Sequence, residues 1–272
     1  MNILSAILLG IIQGLTEFLP VSSSGHLVLF QKIFGITAPA LFFDTMLHIG
    51  TLLAVFAVLW RDILEILKKP IQPLTGFLII ATIPAVIAAL AFGDIIEEVF
   101  ESGRFLGVCF LLTSVLLVSA EFLSKRAAVG TLKKAGDMNW LDALVIGILQ
   151  AIAIAPGISR SGATISGALS RRLNRDFAAR FSFLMSIPAI LGALVMQTKD
   201  LVKVGASAEI ASESISAAAI IAGTISAAVV GFFAVKLMLK IIKEKSLFGF
   251  AVYTAVLGTL VIIDQLATHF VF

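Results

Sequence analysis

The sequence predicts an all-α polytopic membrane protein with six transmembrane helices and two re-entrant helical hairpins, arranged as an inverted-topology repeat. Three observations carry that prediction. The 272 residues are 59% hydrophobic and 14% charged, with a mean hydropathy of +1.07, whereas a soluble domain is roughly 25% charged and under 50% apolar. Apolar stretches follow one another from end to end with short polar breaks, but two of them are interrupted at mid-length by proline, glycine and serine. Those two interruptions are also similar to each other. No linker or low-complexity segment divides the chain, so residues 1–272 read as a single membrane domain without a soluble appendage.

The first element, about 2 to 34, is apolar but broken by "EFLPVSSSGH" at 17–26. Its halves are too short to cross the roughly 30 Å of hydrocarbon, for which about 20 residues are needed. No Lys or Arg precedes Lys32, so the positive region that opens a secretory signal peptide is missing and this stretch is expected to belong to the mature fold. Spans follow at roughly 40–60, 74–92 and 104–122. A second broken element covers 140–170, and three further spans cover 181–197, 215–236 and 247–266. Backbone that leaves a helix at membrane depth must be buried in protein or line a wet cavity, so each broken tip is expected to face the bundle interior. "TIPAVIAAL" at 82–90, "SIPAILGAL" at 186–194 and the pair Gly50–Thr51 are expected to serve close helix packing and proline kinks.

Loop charge orients the bundle. The breaks at 61–73, 123–139 and 236–246 are basic, and Arg171, Arg172 and Arg175 follow the second broken element; the break at 93–103 holds Asp94, Glu97, Glu98 and Glu101, and that at 198–214 is mixed. The positive-inside rule puts the basic set in the cytoplasm and therefore both termini on the outer side. The net charge of +3 gives no sign of a nucleic-acid partner. Cys109 is the one cysteine, which excludes an internal disulfide and a cysteine-based metal cluster.

The repeat appears when "GIIQGLTEFLPVSSSGH" is laid over "GILQAIAIAPGISRSGAT". Gln13 meets Gln150, Pro20 meets Pro156 after a one-residue slip, and Ser22–Gly25 meets Ser159–Gly162. Three spans separate the copies, so the second hairpin enters from the opposite face and the tips can meet inside the bilayer. The repeats cover about 1–122 and 137–272. Together the tips bring Glu17, Ser22, Ser23, Ser24 and His26 toward Ser159, Arg160, Ser161 and Thr164. Charges at membrane depth are costly and mark function by default, although an ion pair that merely locks the two repeats is the simpler reading. Glycine and serine turns, an arginine and half-helix N-termini suit a phosphate, and hydroxyl, imidazole and carboxylate are the parts of a nucleophile and its proton handlers. Phosphoryl chemistry follows. No Gly-Lys dipeptide and no His-Glu-x-x-His run exist, which excludes a P-loop and a zinc helix.

"SSSGH" is similar to the Ser-Gly-His of type-2 phosphatidic acid phosphatases, but the histidine expected six residues after Arg160 is Ser166 here. "QGLTEFLPVSSSGH" and "PGISRSGAT", with "FDTMLHIGTLLAV" between them, instead closely resemble the bacterial undecaprenyl-diphosphate phosphatases of the bacitracin-resistance type, over essentially the whole chain. The resemblance implies that the family's (Glu/Gln)-x-x-x-Glu motif falls on Gln13 and Glu17, its catalytic serine and histidine on Ser23 and His26, and its phosphate-binding arginine on Arg160. It implies hydrolysis of a polyprenyl diphosphate lipid to the monophosphate, location among the lipids of the bacterial plasma membrane, and a divalent cation, magnesium or calcium, either held by the protein, for which Glu17 and Asp44 are the ligands on offer, or brought in on the diphosphate. Gln13, Ser22, Ser24, Ser159, Ser161 and Thr164 are expected at the substrate. Asp44 and His48, four apart on one helix face, are expected to orient His26 or Glu17, or else to tie helices together. Glu17, with His26, is the expected proton acceptor for Ser23, and His26 the acid for the departing phosphate; direct attack by water and a phosphohistidine at His26 stay open, as does a homodimer. A carrier or flippase for a phosphorylated lipid, built on the same inverted tips, is the alternative from another class. It has no need of Ser23 beside Glu17 and His26.

Overall fold

The computed structural model describes residues 1–36, 41–126, 132–204 and 215–272. Residues 127–131 and 205–214 of two expected loops lie outside those described, as do 37–40 and the side chains of the acidic run Asp94, Glu97, Glu98 and Glu101. The described chain is helical, apart from one isolated bridge between Lys133 and Leu173. The two broken elements are pairs of short helices, α1 (Ile3–Thr16) with α2 (Ser23–Ile33), and α7 (Trp140–Ile152) with α8 (Arg160–Ser170). At 1.5 Å per residue the longest of these is about 21 Å, too short to cross.

Between them run α3 (Leu41–Val58), α4 (Trp60–Lys68), α5 (Pro73–Ser102) and α6 (Leu106–Arg126), and after them α9 (Arg175–Val204), α10 (Ala217–Glu244) and α11 (Phe248–Ile263). Five of these helices are long and apolar enough to cross a membrane, or six if the bent pair of α3 and α4 is counted as one span. That pair is bent by 78°, which changes the picture of the 61–73 break from a basic loop to a helix. Arg61, Glu65 and Lys68 in α4 cannot continue into hydrocarbon, while Ile63 and Ile66 still pack on the core; an amphipathic helix turned away from the span satisfies both demands. Helix α5 also runs through 93–102, where a polar break was expected, and α9 begins six residues before the span predicted at 181.

Seven of the packing pairs follow a pattern that most of the others do not share. Helix α1 lies on α10 and α7 lies on α5; α1 touches α2 as α7 touches α8; α3 contacts α10 and α9 contacts α5; α6 contacts α11. Exchanging α1, α2, α3, α5 and α6 with α7, α8, α9, α10 and α11 maps these pairs onto one another. The close approaches depend on glycine: a Cβ on Gly14 would sit 2.8 Å from the Ala227 carbonyl oxygen of α10, and one on Gly147 would sit 2.6 Å from that of Ala81 on α5.

Ionic contacts gather at one end. Arg180 of α9 pairs with Asp62 of α4 at 3.1 Å, Lys243 of α10 with Asp176 at 2.9 Å, and Arg175 with the buried Glu121 of α6 at 3.2 Å. Asp142, capping α7 through the Asn139 amide, takes Lys133 and Arg171, each at 2.8 Å. The basic segments at 61–73, 171–180 and 236–246 therefore share one face of the molecule.

Candidate active site

Both tips are built by the same local device. Pro20 withholds a backbone donor and disfavours helix at Leu19, so α1 stops at Thr16 and the chain turns through Glu17–Ser22. Ser22 then caps α2, its hydroxyl accepting from the Gly25 amide at 3.2 Å, and Ser159 caps α8 by accepting from Gly162 at 3.0 Å. In each tip the first and third serines also bond to one another, Ser22 to Ser24 at 3.4 Å and Ser159 to Ser161 at 3.2 Å. The shared Ser-x-Ser-Gly is thus a helix cap, and its variable position is the first helical residue: Ser23 in one copy, Arg160 in the other.

Those two residues converge on one carboxylate. Ser23 Oγ donates to Glu17 Oε2 at 2.6 Å, the Arg160 guanidinium pairs with Glu17 Oε1, and Gln13 Nε2 donates to Oε2 at 3.0 Å. His48 Nε2 stands 3.7 Å from the same Oε2, its Nδ1 donating to the Asp44 carbonyl at 2.7 Å. The tips are also stitched directly: Ser161 Oγ donates to the Leu19 carbonyl, and the Gly157 amide to Ser24 Oγ. Phe18, fully buried against Phe183 with ring centroids 5.4 Å apart, fixes the turn that carries Glu17.

This cluster forms one end of a cavity of about 650 Å³. Glu17, Ser22, Ser23, Ser24, His48, Ser159 and Arg160 make its polar end; Thr82–Leu90 of α5 and Pro188–Met196 of α9 supply apolar walls. A charged head joined to a hydrocarbon tail has the matching shape.

The structure separates the remaining candidates. Gln13 is fully buried and acts only on Glu17. Ser161 and Thr164 are buried; Thr164 Oγ1 bonds the Arg160 carbonyl at 2.9 Å and Ser182 at 2.6 Å. Asp44 accepts from Gln31 at 2.7 Å and lies off the cavity wall. His26 is 2% exposed and also off that wall, with Nδ1 on the Ser22 carbonyl at 2.6 Å and Nε2 on the Tyr253 hydroxyl at 2.7 Å. His48, expected to orient a neighbour or to tie helices together, is the imidazole that reaches the cavity. Sequence reasoning missed Thr45 and Thr82 on the wall, Thr113, whose hydroxyl accepts from the Ser159 amide at 3.0 Å, and Tyr253. Single hydroxyls inside apolar spans carry no pattern that would have singled them out.

A resident divalent cation fits this donor set poorly. Magnesium and calcium want several oxygen ligands, yet no three His, Cys, Asp or Glu side chains converge among the described residues. Glu17 itself is ringed by an arginine, an amide and a hydroxyl that all donate to it.

Comparison with known proteins adds an independent line. The family model described as bacitracin resistance protein BacA matches residues 6–260. The chain belongs to the BacA family. Among BacA-family relatives, the undecaprenyl-diphosphatase of Carboxydothermus hydrogenoformans is 44% identical over 270 residues, covering 99% of this chain and 100% of that protein. Undecaprenyl-diphosphatase 4 of Bacillus thuringiensis subsp. konkukian and undecaprenyl-diphosphatase 3 of Bacillus cereus are each 46% identical over the same coverage.

Proposed function

We propose that this chain is an integral-membrane phosphatase that hydrolyses undecaprenyl diphosphate to undecaprenyl phosphate and inorganic phosphate, recycling the lipid carrier of cell-wall synthesis and so conferring bacitracin resistance. One observation carries the reading: a serine hydroxyl 2.6 Å from a buried carboxylate that also holds an arginine, at the polar end of a cavity whose other walls are mainly apolar. The diphosphate lies at that end, with the polyprenyl chain leaving between α5 and α9.

Ser23 Oγ attacks the terminal phosphorus and passes its proton to Glu17 Oε2, since an unactivated hydroxyl needs a base. Arg160 moves from Glu17 to the phosphate oxygens, joined by the amides that open α2 and α8, and balances the charge that spreads over the equatorial oxygens. The bridging P–O bond breaks toward the lipid phosphate. That leaving group is a phosphate monoester, whose second pKa is about 6, so it departs without an acid and His26 is not required there. Water then attacks the phosphoserine, Glu17 gives its proton to the departing Ser23 oxygen, and both water protons leave on the inorganic phosphate.

The membrane arrangement belongs to the same reading. Six spans and two re-entrant hairpins form inverted repeats over about 1–122 and 137–272; the exchange symmetry of the helix pairs supports this. The basic face lies in the cytoplasm of a bacterial cell and both termini lie outside the plasma membrane.

Phosphate release from undecaprenyl diphosphate by detergent-solubilised, purified protein tests the function. A carrier for the same lipid, which the exchange symmetry favours, gives no release in detergent. That result would replace the enzyme with the carrier.

A further inference from the structure

His26 and Tyr253 remain without a role in the reaction above, yet they join the first hairpin to the last span. The Ser22 carbonyl can only accept, so the His26 proton sits on Nδ1, and Nε2 is the acceptor that the Tyr253 hydroxyl fills. The two rings are stacked, centroids 5.7 Å apart and planes 9° apart, and the Phe110 edge closes the other side at 5.4 Å. Tyr253 is the one tyrosine in the chain. Its ring is 47% exposed on the outside of α11 while its hydroxyl turns inward.

The peptide that His26 grips is unusual. Ser22 has φ 71° and ψ 97°, a left-handed backbone that serine rarely adopts and that persists only when its surroundings over-determine it. Three contacts do so: the Gly25 amide on Ser22 Oγ, and the His26 amide and His26 Nδ1 on the Ser22 carbonyl. Ser23 is the next residue, and the direction in which its hydroxyl leaves the chain depends on that peptide.

We propose that Tyr253 is a positioning residue for the reaction: by holding the His26 ring in one tautomer and orientation it fixes the Ser22 carbonyl, and through it aims Ser23 at Glu17 and the terminal phosphorus. This rests on the proposed hydrolysis. Binding of the diphosphate is left to Arg160 and the cavity, neither of which Tyr253 touches, so the effect falls on kcat and not on KM.

The test is steady-state phosphate release from undecaprenyl diphosphate by the full chain in detergent, for wild type, Tyr253→Phe, His26→Ala, His26→Asn and the double variants with Tyr253→Phe. Phe keeps the stacked ring and removes only the hydroxyl. We expect Tyr253→Phe to lower kcat about tenfold with KM within about twofold, and to cause no further loss in either His26 background. The Asn amide nitrogen stands near the place of Nδ1 and can still donate to the Ser22 carbonyl, so His26→Asn should retain more kcat than His26→Ala; a merely structural role gives no such rescue. Wild-type kcat in Tyr253→Phe, a change in KM alone, or an equal loss with and without His26 overturns the positioning role. If the His26 variants fail to fold, the kcat and KM of Tyr253→Phe still decide it. Absence of release by the wild type would overturn the hydrolysis and this role together, whereas wild-type turnover with an unaffected Tyr253→Phe overturns the role alone.

Discussion

Ser23 and Arg160 hold equivalent places in two copies of one helix cap, and their difference is where the chemistry enters. A serine at the first helical position presents a hydroxyl beside the cap and an arginine presents a guanidinium; both reach the same Glu17 carboxylate. Each has its own signature under substitution. If Ser23 is the attacking atom, Ser23→Ala lowers kcat by 10⁴-fold or more, whereas loss of one phosphate hydrogen bond costs roughly 10- to 100-fold; rates of phosphate release distinguish the two, and several per cent of residual activity would leave water as the attacker. Arg160→Lys keeps the charge but not the planar fork that grips two oxygens, so it is expected to lose most activity, and near-wild-type turnover would remove the clamp. The Ser-x-Ser-Gly repeat was legible in the sequence because a cap is a local motif with fixed spacing. The direction of His26 was not, because it depends on Tyr253, 227 residues away, and spacing along the chain carries no information about whether an imidazole faces a cavity or a distant partner.

At the scale of the elements, the helix pairs depend on backbone approach. Gly14 on α1 and Gly147 on α7 play corresponding parts, each against a carbonyl of the long helix it lies on. Overpacking a close contact costs about 1–3 kcal/mol, so Gly147→Val and Gly14→Val should each lower the thermal midpoint in detergent, while Gly249→Ala, in a helix with open space around its Cβ position, should not lower it. Equal midpoints for all three would mean that these pairs can slide apart freely. Span existence was legible from composition, since hydrocarbon admits few alternatives to a helix of about 20 apolar residues. Span ends were not: α5 and α9 are each 30 residues long, and helical hydrogen bonding continues past the apolar limit wherever the flanking residues are good helix formers. The bend before α4 was hidden for a related reason, because the charges at 61–73 read as a loop and mask the apolar face that Ile63 and Ile66 form on a helix.

For the whole molecule, orientation follows from where the charges gather. The ion pairs joining α4, α6, α9 and α10 bring Asp62, Glu121, Arg175, Arg180 and Lys243 to one end, and Arg171 with Lys133 stands beside α7. By the positive-inside rule a basic face of this kind is expected in the cytoplasm, and that expectation sets the side proposed for every span and both hairpins. Single cysteines in a Cys109→Ala background read this directly in intact cells. Ile71, 99% exposed between α4 and α5, and the exposed Ser246 between α10 and α11 belong to the basic end; Phe270, 91% exposed near the C-terminus, and the exposed Ala217 at the start of α10 belong to the other. An impermeant thiol reagent added from outside should label cysteines at 217 and 270 and spare those at 71 and 246 until the cells are opened. The reverse pattern would invert the protein and put the termini in the cytoplasm. Labelling of one member of each pair would break the exchange between the two halves, since an odd number of crossings between the hairpins is what lets their tips meet from opposite faces at Glu17.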